Sequence, residues 1–175
     1  WMQGAKMRVE ATEEDDVLEA LGEHIHEVLV EDANRLVIWG SGGTLRTIAE
    51  GLGFSPTLLG IDVTLGSEQI GTDLNEQNLL TLIKDHDGEC TLLVSPMGGQ
   101  GFLLGRGNLQ LSPDVLRAVG IDAVLGVVTP AKMLTVTQLR IDTGDVELDL
   151  DFQNKKYLKV LQGYRTTRLL RVASD

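Results

Sequence analysis

Apolar residues recur along this chain in two rhythms. Leu18, Leu21, Ile25, Val28 and Leu29 fall on one stripe at helical spacing. Thr12-Glu13-Glu14-Asp15 ahead of them offers a capping threonine and first-turn acids, so a helix is expected to start at Thr12. Arg35-Leu36-Val37-Ile38-Trp39 is a continuous apolar run, as in a strand covered on both faces. Leu45, Ile48, Ala49 and Leu52 return to helical spacing, stopped by Gly51 and Gly53. Residues 57–63 are read as the next strand, with Asp62 near its C-terminal end. Asp73 can cap a helix through Leu79, Leu80, Leu82 and Ile83. Residues 90–95 are a strand. Ser112 as cap and Pro113 at the first position open a helix that Gly120 closes. Residues 123–129 and 138–142 are further strands. Glu147, Asp149 and Asp151 alternate with Val146, Leu148 and Leu150, which reads as a solvated strand or turn face. Residues 157–162 and 166–172 form a hairpin around Gly163.

This alternation of strands and helices gives an α/β fold. It is expected to be a three-layer, Rossmann-like, mostly parallel sheet with a C-terminal antiparallel edge hairpin. The 175 residues fit a single α/β domain over 1–175. Twenty glycines with only 4% aromatic residues agree with many turns. A net charge of −11 disfavours a nucleic-acid binder and an anionic membrane surface, yet leaves room for a local basic pocket. No apolar run approaches ~18 residues, the length of a spanning helix. No secretory signal is visible, and the single cysteine, Cys90, allows no internal disulfide. A reducing, cytoplasmic setting is therefore expected. Cys90 opens an apolar strand and reads as a small buried hydrophobe more readily than as a nucleophile. His24 and His26 are two apart and face different sides of their helix, which disfavours a shared metal. Apolar helix faces permit a homodimer.

Chemistry concentrates in glycine-rich segments. Gly98, Gly99, Gly101, Gly105 and Gly107 fall within one stretch that also carries Gln100, Arg106 and Asn108. So much glycine suggests a backbone that passes close to something or exposes its N–H groups, though a tightly packed turn would look the same. Arg106 adds a forked cation suited to phosphate, and the Ser112 helix start follows. Gly40-Ser41-Gly42-Gly43-Thr44 lies between a strand and a helix, where amides can hold a phosphate. A close helix–strand crossing is the other explanation. Asp62 near a strand end could orient a hydroxyl, a metal or a water, or could cap a loop. Lys132 sits just past a strand end, as a phosphate-binding cation or a solvated lysine. Asp142-Thr143-Gly144-Asp145 places two carboxylates around a turn.

Taken together these blocks carry a likeness. Gly98-Gly99-Gln100-Gly101-Phe102, Leu104-Gly105-Arg106-Gly107-Asn108 with Leu111-Ser112-Pro113, Leu58-Leu59-Gly60-Ile61-Asp62, Thr129-Pro130-Ala131-Lys132 and Arg140-Ile141-Asp142-Thr143-Gly144-Asp145 resemble the ATP-NAD kinase/AcoX-like family. The resemblance runs from about Gly4 to the C-terminus. It implies a nucleotide-binding transferase of NADP biosynthesis that uses ATP and Mg²⁺. It also implies that this chain is the C-terminal part of a longer protein, with a missing N-terminal domain as its partner. NAD kinases carry a Gly-Gly-Asp-Gly-Thr motif in that other domain, whose aspartate serves catalysis. Gly40-Ser41-Gly42-Gly43-Thr44 is a loose echo without the aspartate, so the chain alone is expected to be inactive. The element order is also similar to the ribose-5-phosphate isomerase-type fold, where a Gly/Ser/Thr loop holds a sugar phosphate. In a kinase, Arg106 and Lys132 would neutralise phosphate charge. An isomerase would use Asp62 or Asp145 to move a proton, and a binding module would hold the phosphometabolite, nucleotide or sugar phosphate, without chemistry. Asp62 and Asp145 are the catalytic candidates. Gly40 to Thr44, Gly98 to Gly101, Gly105 to Asn108, Lys132 and Asp142 to Gly144 are the phosphate-binding candidates. All are expected at one end of the sheet, in one cleft.

Overall fold

The computed structural model describes residues 2–174, with side chains from residue 13 onward. Among the described residues, nine strands form one sheet in the order β3-β2-β1-β4-β6-β8-β9-β7-β5. They are β1 (Leu36–Trp39), β2 (Asp62–Leu65), β3 (Glu68–Gly71), β4 (Cys90–Val94), β5 (Phe102–Leu104), β6 (Val124–Val127), β7 (Gln138–Ile141), β8 (Tyr157–Gly163) and β9 (Thr166–Val172). Five of their pairings are parallel and three antiparallel. The α/β, three-layer, mostly parallel fold expected from the sequence is the one found. The C-terminal hairpin β8–β9 is also present. Its place is internal, between β6 and β7, so it joins two parallel segments of opposite sense where an edge position was expected.

β1 is buried at all four residues because both faces are covered. Val37 and Trp39 join one cluster with Leu21 and Ile25 of α1 (Met2–Ile25) and with Leu45, Ile48 and Ala49 of α2 (Gly43–Gly51). Leu36 and Ile38 point the other way, into a cluster with Leu79 of α3 (Glu76–Asp85) and Val115 and Leu116 of α4 (Pro113–Val119). Leu148 and Phe152 of α6 (Val146–Lys155) belong to this second cluster. So do Leu103 of β5 and Leu139 and Ile141 of β7, so the sheet wraps around a common core. Between β6 and β7 lies the short α5 (Pro130–Met133), capped by Thr129.

Four local expectations are corrected. The first helix runs through Thr12 instead of starting there, and it continues into a π-helical turn over His26–Val30. α3 is capped by Asn75, whose side chain accepts from the Asn78 N–H, and not by Asp73. β2 begins at Asp62 and runs antiparallel to β1, with residues 57–60 in the loop before it. The acidic stretch after Asp145 is the helix α6, because Leu148 and Phe152, four apart, are the buried pair, while Val146 and Leu150 are exposed. The alternation of acids was incidental to the spacing of buried residues.

Candidate phosphate and nucleotide site

The loop after β1 has two kinds of glycine. The Gly40 N–H donates to the Leu93 carbonyl at 2.8 Å, and a Cβ at Gly40 would stand 2.8 Å from that same oxygen. Gly40 therefore serves the close crossing of β1 and β4. Gly42, at φ +128°, turns the chain into α2, and the space around Gly43 is open. Among the described residues no side chain caps α2. Its first amides are left for water or a ligand, with the positive end of the helix dipole behind them.

This loop lies at the C-terminal ends of the parallel strands β1, β4 and β6. Ligands of open α/β sheets bind outside that end. A pocket of about 310 Å³ is lined there by Thr44, Ser95, Thr129, Lys132 and Thr135, with the Glu14 carboxylate of α1 at its wall. Lys132 Nζ donates to the Gly98 carbonyl at 2.8 Å, which pins the glycine-rich turn to this corner. Asp62 is at the same end, beside Trp39, because β2 runs antiparallel; the reason is not the one the sequence suggested. It is 5% exposed and accepts from the Thr57 N–H at 2.8 Å, the Thr57 hydroxyl at 3.1 Å and the Asp73 N–H at 3.0 Å. These bonds fasten the loop before β2 to the turn before α3.

The second glycine-rich stretch divides in the same way. Gly101 is fixed by packing: its φ is +79° and a Cβ would overlap the Gln138 carbonyl oxygen. Gly98 has φ +68°. Gly99, Gly105 and Gly107 show neither crowding nor a positive φ, and Gln100 is exposed. Those three glycines leave open backbone at the surface. Asn108 accepts from the Leu111 N–H at 3.0 Å and so shapes the turn toward α4, which Ser112 caps with Pro113 in its first turn, as expected.

A second charged group follows β5 and β7. Arg106 Nε donates to Asp142 Oδ1 at 2.8 Å, and its side chain is 69% exposed. The hydrogen bond and charge of Asp142 raise its pKa, so the guanidinium stays charged. Thr143 gives its N–H and hydroxyl to Asp149 at 2.9 and 2.6 Å. Gly144, at φ +88°, has the Arg106 stem beside it. Asp145 caps α6 through the Leu148 N–H and pairs with Arg117 at 2.9 Å. The Leu148 N–H, and then Arg117, lower its pKa, which makes it a lasting anion and a weak base.

A groove of about 420 Å³ joins the two glycine-rich segments, with Ser41 on one side and Met97, Phe102, Gly105, Gly107 and Asn108 on the other. The two cations stay apart in their partners: Lys132 holds Gly98, and Arg106 holds Asp142. β7 runs opposite to β6, so Asp142 and Lys132 follow strands of opposite sense. Ser95, Thr135, Arg117 and Asp149 were missed by sequence reasoning. Ser95 ends an apolar strand, which was a usable signal, whereas the partners of Arg117 and Asp149 depend on tertiary packing. Among the described residues, no three His, Cys, Asp or Glu side chains gather where they could hold a metal ion.

Cys90 is partly buried and its thiol is pushed up to about 11 by burial, in line with a packing role. His24 is buried and accepts from the Arg165 N–H at 3.1 Å, while His26 pairs with Glu31. No helix among the described residues is long and apolar enough to cross a membrane.

The model of one family, described as the ATP-NAD kinase C-terminal domain, matches residues 33–172. No curated protein and no solved structure matches at a significant level. Nothing in these comparisons supports the isomerase-type likeness. The matched span holds both glycine-rich segments, Lys132 and the Arg106–Asp142 pair, and with most of its length covered the chain belongs to the ATP-NAD kinase C-terminal domain family.

Proposed function

We propose that this chain is the nucleotide-holding part of an enzyme that phosphorylates NAD with ATP, and that it does not turn over alone. The observation that carries this reading is the shared pocket of Thr44, at the uncapped start of α2, and Lys132. Backbone amides, a helix N-terminus and an amine in one corner suit phosphate oxygens. The hydroxyls of Ser95 and Thr129 add donors, while that of Thr135 donates to the Lys132 carbonyl. The groove from Ser41 to Phe102 gives a nucleoside an apolar wall next to the phosphates. Open backbone at Gly99, Gly105 and Gly107 lets a ligand approach without steric cost. Arg106 keeps its outer guanidinium edge available while Asp142 orients it.

In this reading Asp62 and Asp145 act by position. Asp62 fixes the loop beside β1, and Asp145 stays ionised and ties the start of α6 to Arg117 of α4. No three carboxylate, histidine or cysteine side chains gather among the described residues, so Mg²⁺ would enter mainly on the phosphates of ATP. Phosphoryl transfer depends mostly on positioning and charge stabilisation, so a chain without the Gly-Gly-Asp-Gly-Thr aspartate loses most of the rate. The missing N-terminal domain of the same protein is then the partner that completes catalysis. A cytoplasmic, reducing setting belongs to the same reading, since Cys90 is the sole cysteine.

The test is NADP formation from ATP, Mg²⁺ and NAD by residues 1–175. Turnover near background together with measurable nucleotide binding supports the reading. Robust turnover would overturn it and move catalysis onto Asp62, Asp142 or Asp145.

A further inference from the structure

We infer that His24 is a positioning residue for the nucleotide corner, a role that rests on the phosphate-holding reading of Lys132. Its neutral ring latches the β8–β9 turn to α1, and that turn braces the helix that carries Lys132. His24 lies on α1 and is 9% exposed. Its Nδ1 accepts the Arg165 N–H at 3.1 Å. A backbone N–H only donates, so the Nδ1 lone pair is free and the ring proton sits on Nε2. Arg165 has φ +51°, a left-handed conformation that the contacts of the turn must maintain. Tyr164 fastens the same turn. Its hydroxyl donates to Glu27 at 2.7 Å, and its ring meets the His24 ring edge-on with centroids 6.0 Å apart. The Arg165 guanidinium lies 5.3 Å from the Tyr164 ring centroid.

The brace is built at the end of β8. β8 runs parallel to β6, so the turn stands where β6 leads into Thr129 and α5. The register of β8 against β9 shifts between Leu161 and Gly163, which leaves Gln162 as the extra residue. Such an irregularity re-aims a side chain. Gln162 Nε2 donates to Met133 Sδ at 3.0 Å, and its Oε1 accepts from Arg168 Nε at 2.8 Å. The Arg168 bond decides which end of the amide faces Met133. The neighbouring Leu161 carbonyl accepts the Val128 N–H at 3.0 Å, just before α5. A helix as short as α5 has little stability of its own, so its supports set where Lys132 stands.

Protonation of His24 removes this latch. Both ring nitrogens then carry hydrogen, and Nδ1–H opposes the Arg165 N–H at a buried position. The charged and titratable groups around the ring are Glu23 and Glu27 on the helical side and Tyr164 and Arg165 on the turn. α2 meets α1 at Gly22 through the apolar Ile48 and Leu52, and β8 packs on it through Leu161. The latch is closed at neutral pH and opens as pH falls through the range where histidines gain a proton, about 6.5.

Magnetic resonance of methyl-labelled methionine, with amide exchange, tests this at about pH 7.5 and about pH 5.5. Exchange is taken relative to the free-peptide rate at each pH. The expected result is that the Arg165 amide loses protection at the lower pH and the Met133 methyl signal moves with it. Affinity for ATP or NAD, by calorimetric titration, should fall about fivefold or more over the same interval. His24→Asn keeps an acceptor near the Nδ1 position that does not titrate, so all three readouts should lose this pH response. Comparison with that variant also cancels the titration of the nucleotide's own phosphates. Gln162→Leu should keep the response at Arg165 and lose it at Met133. A thermal melt confirms that each variant is folded. An Arg165 amide equally protected at both pH values would overturn the inference. So would a Met133 signal indifferent to pH, an affinity that holds while the turn opens, or a His24→Asn response equal to that of the unsubstituted chain. If neither nucleotide binds at any pH, the proposed function fails, while the Arg165 and Met133 signals still decide the latch.

Discussion

Arg106 Nε donates to Asp142 Oδ1 at 2.8 Å, a bond that ties the glycine-rich turn after β5 to the end of β7. The pair is exposed, so it contributes little to stability and can be redirected toward a ligand. Arg106→Ala is expected to weaken ATP or NAD binding roughly tenfold, the scale of one charge-assisted contact to phosphate, with little change in melting temperature. Calorimetric titration and a thermal melt check both parts. Unchanged affinity with a large fall in melting temperature would make Arg106 a structural residue.

Asp62 should behave in the opposite way. It is buried, and both carboxylate oxygens accept bonds from Thr57 and Asp73. Asp62→Ala leaves those donors unanswered and is expected to cost about 2 kcal/mol. For a chain of this size that is a fall in melting temperature of roughly 4–8 °C. A melt within one degree of the unsubstituted chain would show that the loop does not depend on these bonds.

The glycines separate by the same logic. Gly101→Ala should destabilise the fold by about 1–3 kcal/mol, because it meets both a positive φ and the Gln138 carbonyl. Gly105→Ala meets neither and should stay within about 0.5 kcal/mol. Equal effects in urea unfolding would contradict this division.

Two groups set opposite pH dependences. Burial raises the Cys90 thiol from its ordinary value of 9.0 to about 11, with Arg35 opposing. The folded state thus keeps a proton that the unfolded chain releases. This contribution to stability is complete below pH 9 and is lost as pH rises through about 11. Alkylation of native protein at pH 8 should be slow and should become fast in denaturant; fast native alkylation would contradict the burial. Asp145 is shifted the other way, mainly by the Leu148 N–H and then by Arg117. Its contribution is present above the ordinary value of 3.8 and is lost as pH falls below it. Asp145→Asn should flatten the acid side of a stability–pH curve, measured by urea unfolding.

Much of the fold was legible because local signals and tertiary packing agreed. The apolar run of β1 followed by glycines gave the strand–loop–helix unit, and Ser112-Pro113 gave the start of α4. Disagreement arose where a residue's partner was distant. Asp62 was expected at the right end of the sheet, but at the end of a strand that it actually begins. α6 was hidden because Val146 and Leu150, apolar in sequence, are exposed, and only Leu148 and Phe152 face the core. The candidate site was legible as loops but not as an arrangement. The sequence does not reveal that Lys132 holds Gly98 while Arg106 holds Asp142, since strand order decides those pairings. The glycine stretches likewise mixed two causes, close packing at Gly40 and Gly101 and open backbone at Gly43 and Gly105, that only neighbours distinguish.

Calorimetric titration of residues 1–175 with ATP and with NAD, repeated on Lys132→Ala, examines the nucleotide-holding role directly. Lys132 shares its pocket with Thr44 at the start of α2 and has no buried partner of its own to lose. The expected result is saturable one-to-one binding of at least one nucleotide, weakened roughly tenfold in Lys132→Ala while the melting temperature holds. Absence of binding to the unsubstituted, folded chain, or binding that ignores the loss of Lys132, would contradict it.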